Sequence, residues 1–268
     1  MCVNAIVEKV SQSRKYGNIC NDTIIRICED EFKKFKLNKD IEKSVKSKLH
    51  KIQGAYIGNK EYNEIALYVD ELTGKGSLQE TQSKEICKRI LELHKSTAER
   101  LYFYDRFYQE IFKITGFPES VMDIACGFNP FSIQWMQAGK KIRYYAYDIN
   151  FNQIALLNSF FKAIEYPADA FVQDVICKKP EECADIAFIF KFIPIIEFQR
   201  KKYSLELIRS LKVKHVVLSF PKKGISGRRN ILPEEDIEYM YGLVLNELNV
   251  IKKIEFSNEV LYIVNKHD

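Results

Sequence analysis

The sequence lacks the closely spaced cysteines and histidines that hold structural metals and disulfide frameworks. Its seven cysteines are scattered and form no CxxC pair, and its four histidines show no metal-ligand spacing. An odd number of dispersed cysteines argues against both a disulfide framework and a zinc knuckle, and it indicates reduced thiols. We therefore expect a protein that needs no metal and works in a reducing compartment.

Long apolar runs are also missing. No segment has the roughly 20 apolar residues that a membrane-spanning helix needs, and the N-terminus turns polar too early for a secretory signal. These absences predict a soluble, cytoplasmic protein that does not contact a membrane. The chain has 268 residues, 46% of them hydrophobic, which is enough for a buried core, and its net charge of +5 mildly favours an anionic partner.

Two patterns divide the chain. Residues 1–115 are predicted to be helical, with apolar positions from Ile24 to Phe35 at helical spacing and a long helix from near Ser83 to Ile114, which 94–97 would interrupt. Eight lysines between Lys33 and Lys51 alternate with apolar residues, which indicates helices with a basic face.

From residue 120 onward, short apolar runs alternate with helical patterns. The predicted strands are Val121–Ala125, Arg143–Asp148, Ala170–Asp174, Ala184–Phe192, His215–Phe220, Val250–Phe256 and Val260–Asn265. The predicted helices are Phe131–Ala138, Phe151–Ile164, Ile195–Leu211 and Pro233–Leu248. This alternation predicts βαβ units and a mostly parallel sheet.

The first strand leads into a turn of small residues. Ala125 and Gly127 would let a ligand approach the backbone closely, and Asp123 could accept hydrogen bonds from the turn or from a ligand ammonium. Asp148 ends the second strand, where a carboxylate can accept the hydroxyls of a ribose. Asp174 ends the third, where a carboxylate can accept the amine of adenine beside Val175. Each aspartate alone is more typical of a loop cap, but the ordered set favours an adenosine-type cofactor.

Phosphate-binding loops are absent, and this narrows the choice of cofactor. A nicotinamide dinucleotide would need GxGxxG where this turn has AxGxxP, and nothing resembles a P-loop. S-adenosylmethionine carries ribose and adenine without phosphate, so we expect it as the cofactor.

Five short motifs resemble the aminoglycoside-resistance 16S rRNA methyltransferases of the Arm/Rmt type, which act on N7 of guanine 1405. In chain order they are residues 50–56 (HKIQGAY), 94–100 (HKSTAER, similar to HxSTxER), 123–130 (DIACGFNP), 191–194 (KFIP, similar to KxLP), and 219–221 with 226–229 (SFP and SGRR). The resemblance spans roughly residues 50 to 230. It departs from the family at Ala125, where relatives usually carry glycine.

The resemblance implies a role for each matching residue. The implied cofactor-binding residues are Tyr56, His94, Lys95, Ser96, Arg100, Ala125, Gly127, Asp148, Asp174, Val175, Phe190 and Gln199. Arg100 would pair with the methionine carboxylate of the cofactor. Lys191 and Arg228 would act as the catalytic residues by contacting the target nucleotide and its phosphates. Taken without the resemblance, His94 is equally typical of a helix surface, and Arg100 of a local ion pair with Glu99 or another acid.

The resemblance also implies a fold and a substrate. The fold would be α/β: a class I S-adenosylmethionine-dependent methyltransferase with a Rossmann-like seven-stranded sheet, its last strands antiparallel, and an α-helical N-terminal domain. The domains would be 1–115 for rRNA docking and 116–268 for methyl transfer. The substrate would be 16S rRNA in the assembled small subunit, methylated by a monomer that thereby gives aminoglycoside resistance. Alternatives are another rRNA base such as adenine 1408, a small molecule, or a non-catalytic ribosome-binding factor.

The residues after the fourth strand agree with the expected chemistry. Guanine N7 has a free lone pair, so no base has to remove a proton, and the sequence has Lys-Phe-Ile-Pro where amino methyltransferases carry Asp/Asn-Pro-Pro-Tyr. A Pro-Cys nucleophile of the cytosine-C5 type is missing as well. The target base has to leave its stack. Phe107 and Tyr108 are candidates to stack on it, although both equally suit a helix core.

Overall fold

The computed structural model describes residues 3–53, 58–73, 80–136, 141–222, 241–242 and 245–266. In this part of the chain, helices precede the first strand, as the apolar spacing predicts. They are α1 (Val3–Ser11), α2 (Asn21–Phe32), α3 (Asn38–Ile52), α4 (Asn59–Thr73), α5 (Glu80–Glu92), α6 (Lys95–Ala98) and α7 (Tyr104–Thr115). None of the described helices is long and apolar enough to cross a membrane.

The long helix predicted from Ser83 to Ile114 is three helices, α5, α6 and α7. The backbone leaves helical geometry at His94, whose φ and ψ are −113° and 121°. The Thr97 hydroxyl lies 2.7 Å from the carbonyl of Leu91 and 2.9 Å from that of His94, so a side chain satisfies a carbonyl in the last turn of α5. The break near 94–97 was therefore predicted in the right place. This break in the helix turns residues 94–100 toward the sheet.

The sheet has seven strands in the order β3-β2-β1-β4-β5-β7-β6. They are β1 (Ser120–Ile124), β2 (Arg143–Asp148), β3 (Ala168–Val172), β4 (Cys183–Phe190), β5 (Lys212–Pro221), β6 (Val250–Glu255) and β7 (Glu259–Asn265). Strands β1 to β5 are parallel, and β7 runs antiparallel between β5 and β6. The predicted sheet, with antiparallel last strands, is confirmed.

The helices between the strands depart from prediction at two places. The predicted helix Ile195–Leu211 is two helices, α9 (Ile193–Gln199) and α10 (Tyr203–Ser210), because Arg200 is extended and Lys202 is left-handed with φ 64°. The predicted helix from Phe131 begins earlier and is a 3₁₀ helix, Asn129–Trp135. Helix α8 (Phe151–Ala163) agrees with its prediction. Ala138 and most of the predicted helix 233–248 lie outside the described residues.

Packing places helices on both faces of the sheet. One core joins Ile65 of α4, Ile90 of α5 and Phe107 of α7 to sheet residues such as Phe188, while Leu207 of α10 belongs to the core on the other face. Helices α1 to α3 bury their apolar sides in a separate cluster. Part of the helical region thus shares its core with the sheet, and the boundary at residues 115 and 116 stays a prediction.

Candidate functional site

A cavity of about 320 Å³ opens at the carboxyl ends of the parallel strands. Its walls include residues 125–127 after β1, 148–150 at the end of β2, 173–175 after β3 and 190–192 at the end of β4. These segments meet because the carboxyl ends of parallel strands lie at one edge of a sheet. Residues of α2, α9 and the break before α6 complete the walls.

The turn after β1 presents backbone to the cavity. Ala125 and Gly127 both adopt left-handed backbone with φ 52°, a conformation that favours glycine. Among the described residues, a Cβ on Gly127 would meet only His94 Cε1, at 4.0 Å, so this part of the chain leaves room above the turn. Ala125 holds the same conformation at a cost of about 1 kcal/mol.

Asp148 ties the first two strand ends together. Its Oδ2 accepts from the Gly127 N–H at 3.1 Å, and its Oδ1 accepts from the N–H groups of Ile149 at 2.7 Å and Asn150 at 3.2 Å. Burial raises the pKa of this carboxyl above its ordinary value, although the backbone donors oppose the rise. The carboxylate is therefore held in one orientation at the wall of the cavity.

Asp123 lies beneath the turn and is not among the residues that line the cavity. Its Oδ2 accepts from Tyr144 Oη at 2.6 Å and from Asn129 Nδ2 at 2.9 Å, and burial raises its pKa to about 6. Its observed donors lie on β2 and on the first residue of the 3₁₀ helix after the turn, and neither of the two roles predicted for it is the one observed. The three strand-end carboxylates do converge, but only Asp148 and Asp174 face the cavity.

Asp174 is held by a residue that the sequence did not single out. Arg26 on α2 donates to Asp174 Oδ2 from Nε at 3.1 Å and from Nη2 at 2.7 Å, and the same Nη2 donates to Gln199 Oε1 at 2.7 Å. The Ile176 N–H donates to Asp174 Oδ1 at 2.8 Å. Arg26 itself is not among the residues that line the cavity, so it holds Asp174 from behind the wall.

Arg100 is buried and forms a bidentate pair with Glu259, the first residue of β7. Its Nε and Nη2 lie 2.7 and 3.0 Å from the two carboxylate oxygens, and its guanidinium lies over the rings of Phe190 and Phe107. Burial opposes the charge on Arg100, but Glu259 raises its pKa above the ordinary value. The local pairing with Glu99 is therefore wrong for Arg100, and its acidic partner is distant in sequence.

Lys191 lies at the same end of the cavity, in left-handed backbone with φ 55°. Its N–H donates to the Ser219 carbonyl at 3.0 Å, and its Nζ lies 2.9 Å from Glu99 Oε2 and 3.6 Å from Glu259 Oε2. Burial opposes ionisation of Glu259, yet Arg100 and Lys191 together hold its pKa below the ordinary value. Two cations and two carboxylates form one compact network here.

Three buried polar atoms, each on a residue that lines the cavity, have no hydrogen-bond partner among the described residues. They are Gln53 Oε1, His94 Nδ1 and Gln153 Nε2. Burial, with smaller effects of Arg100 and Lys191, lowers the pKa of His94 to about 4, so its imidazole is neutral at pH 7. Buried polar atoms are costly without partners, which indicates that a polar ligand belongs in this cavity. The carboxylate positions and the open turn fit an adenosine-type ligand.

Most of the predicted site residues come together. Those that line the cavity are His94, Ser96, Arg100, Ala125, Gly127, Asp148, Asp174, Val175, Phe190, Lys191 and Gln199. Lys95 is not among them, and Tyr56 and Arg228 lie outside the described residues. Sequence reasoning missed Arg26, Gln153 and Glu259, because nothing near them in the chain marks them.

The prediction that Phe107 or Tyr108 stacks on a target base is wrong. Both side chains are fully buried, among Phe103, Tyr104 and Phe188. The core alternative, which suited them equally, is the one observed.

Known proteins resemble the whole chain. A family model described as "Ribosomal RNA methyltransferase (FmrO)" matches residues 12–263. A 16S rRNA (guanine(1405)-N(7))-methyltransferase of Proteus mirabilis is 32% identical and covers 98% of this chain and 97% of its own. The solved structure of the 16S rRNA methylase RmtB has a TM-score of 0.83 at 26% identity, covering 100% of this chain and 99% of that one. The 16S rRNA methyltransferase RmtF, solved in complex with S-adenosyl-L-homocysteine, shares the fold with a TM-score of 0.82 at 24% identity, covering 99% and 98%.

Proposed function

Because the chain belongs to the FmrO family of ribosomal RNA methyltransferases, we propose that it transfers a methyl group from S-adenosylmethionine to N7 of guanine 1405 in 16S rRNA. The observation that carries the proposal is the strand-end cavity, which Asp148, Asp174, Arg100 and Lys191 all line, together with residues that carry partnerless buried polar atoms. A Proteus mirabilis relative of nearly equal length bears the name of this activity.

The cavity residues divide between the two ends of the cofactor. Asp148 would accept the ribose hydroxyls, and Asp174 with Val175 would hold the adenine, between walls that include Phe190 and Gln199. Arg100, His94 and Ser96 would hold the methionine end above Ala125 and Gly127, with Tyr56 as its cover. When bound, the cofactor supplies an electrophilic methyl group on a sulfonium.

The protein's own task in this reaction is positioning. Guanine N7 attacks with a lone pair that needs no deprotonation, so His94, neutral at pH 7, is not required as a base. Alignment of the reacting atoms can lower a barrier by up to about 7–11 kcal/mol. Lys191 would contact the target nucleotide from the cavity wall, held by Glu99 and Glu259 at 2.9 and 3.6 Å. Arg228 would bind its phosphates.

The helical region would dock on the small subunit. Lysines of α3 and of the segment between α2 and α3 give it a basic face, and some of them pair within a helix, as Lys46 does with Glu42 at 2.6 Å. Exposed pairs of this kind contribute little, so these lysines can exchange their partners for rRNA phosphates. The proposed working form is a cytoplasmic monomer that acts on the assembled small subunit without a metal, with residues 1–115 as the docking domain and 116–268 as the methyltransferase domain.

The decisive experiment is methylation of purified small subunits with labelled S-adenosylmethionine, followed by mapping of the modified nucleotide. We expect label at guanine 1405 and none with Asp148→Ala, which should still bind the subunit. Expression in a susceptible bacterium should give resistance to gentamicin but not to apramycin. Resistance to both would indicate adenine 1408, and cofactor binding without label in rRNA would indicate a small-molecule substrate. No cofactor binding at all would leave a non-catalytic ribosome-binding factor.

A further inference from the structure

Arg26 connects the helical region to the adenine end of the proposed cofactor cavity. It lies 148 residues before Asp174 in the chain, yet its Nη2 is 2.7 Å from both Asp174 Oδ2 and Gln199 Oε1. Both acceptors line the cavity, one at the end of β3 and the other on α9. A single guanidinium thus holds two polar side chains of the wall.

The position of Arg26 is set by backbone contacts at the start of α2. The Cys20 N–H donates to the Ile149 carbonyl at 2.8 Å, and the Phe151 N–H donates to the Asn18 carbonyl at 2.8 Å. Ile19 and Thr23, on the same stretch, line the cavity themselves. The start of α2 is therefore anchored to the segment that carries Asp148, and Arg26 lies at a defined distance from that anchor.

The contacts leave Asp174 and Gln199 little freedom to turn. The Asp174 side chain is 4% exposed, with Arg26 on Oδ2 and the Ile176 N–H on Oδ1. Gln199 receives Arg26 at Oε1 and donates from Nε2 to the Ile195 carbonyl at 3.2 Å, so both ends of its amide are engaged. A carboxylate held in this way accepts the amino group of adenine and repels a carbonyl oxygen in the same place.

We propose that Arg26 is a positioning residue that holds Asp174 and Gln199 in the orientation that selects the 6-amino group of adenine. The proposal rests on the proposed function, since it takes S-adenosylmethionine as the ligand of this cavity. It makes the helical region part of the cofactor site as well as the proposed docking surface for rRNA.

The test compares two ligands on the full-length protein by calorimetry: S-adenosylhomocysteine and S-inosylhomocysteine, which has an oxygen in place of the 6-amino group. We expect the unaltered protein to prefer the adenosyl ligand. Arg26→Met should weaken adenosyl binding about tenfold and inosyl binding much less, because the acceptor is no longer oriented. Arg26→Lys keeps the charge but loses the forked donors, so we expect an intermediate preference.

The matched control is Arg209→Met, which removes an exposed arginine 2.9 Å from Glu247 and should leave both affinities unchanged. An equal loss for both ligands would overturn the proposal, because Arg26 would then be merely structural. Tighter adenosyl binding would overturn it too, since Arg26 would then compete with adenine for Asp174. If Arg26→Met does not fold, Arg26→Lys serves for the same comparison.

The two proposals fail in different ways. If the unaltered protein binds neither ligand, the proposed function falls and the role of Arg26 falls with it. If the unaltered protein prefers the adenosyl ligand and both Arg26 variants keep that preference, only the role of Arg26 falls.

Discussion

Replacing Glu259 by glutamine should show how much the fold depends on its buried ion pair. The Glu259 side chain is 0% exposed and that of Arg100 is 2% exposed, with bidentate distances of 2.7 and 3.0 Å. Removing one partner of a buried pair leaves an uncompensated charge and costs about 3–5 kcal/mol. Glutamine keeps one acceptor oxygen, and Ser219 Oγ remains 3.2 Å from Arg100, so we expect the lower end of that range.

The measurement is urea unfolding of Glu259→Gln beside Glu247→Gln. Glu247 also pairs with an arginine, but its side chain is 58% exposed, so its replacement should cost at most about 1 kcal/mol. For an m-value of about 3 kcal/mol per molar urea, the Glu259 variant should unfold about 1 M earlier than the unaltered protein. Equal midpoints for the two variants would refute the argument from burial.

The same variant has a pH signature. The folded pKa of Glu259 lies below its ordinary value of 4.5, so the pair stabilises the protein fully above that value. The stabilisation is lost as the pH falls through the lowered folded pKa. The difference in unfolding free energy between the unaltered protein and Glu259→Gln should therefore stay constant above pH 4.5 and shrink below it.

Three other substitutions test the burial of His94 and Phe107 and the backbone of the turn at Gly127. Burial lowers the pKa of His94 from 6.5 to about 4, so between these values the unfolded chain binds a proton that the folded protein does not. On acidification between these values, the free energy of unfolding of the unaltered protein should fall by about 1.4 kcal/mol per pH unit relative to that of His94→Asn. Denaturant unfolding at a series of pH values measures this difference, and parallel pH profiles of the two proteins would contradict the prediction. Phe107→Ala should lower the free energy of unfolding, measured by thermal unfolding, by about 3–5 kcal/mol. The control Tyr102→Ala replaces a side chain that is 94% exposed and should change it by no more than about 0.5 kcal/mol. Similar losses for the two variants would exclude a core role for Phe107. Gly127→Ala should lower the free energy of unfolding by about 1–2 kcal/mol, because φ is 52° at this position. It should also weaken the binding of S-adenosylhomocysteine, which calorimetry measures. An unchanged affinity would show that the turn does not approach the ligand.

Local pattern was enough to predict the sheet and the edge that carries the site. Short apolar runs separated by helical segments specify parallel strands, because parallel neighbours need a crossover between them. Acidic residues at the ends of β2 and β3 were therefore expected to lie close together, and Asp148 and Asp174 do line one cavity. The small-residue turn was predictable for the same reason, since it comes directly after β1.

Only the tertiary structure decided which side chains complete the site. Arg26 reaches Asp174 across 148 residues, and Arg100 reaches Glu259 across 159. A single sequence carries no sign of such pairs, because an ion pair depends on where the chain returns and not on local spacing. Burial likewise decided that Asp123 does not line the cavity and that Phe107 belongs to the core. Spacing places a residue on an element, and packing determines what its side chain meets.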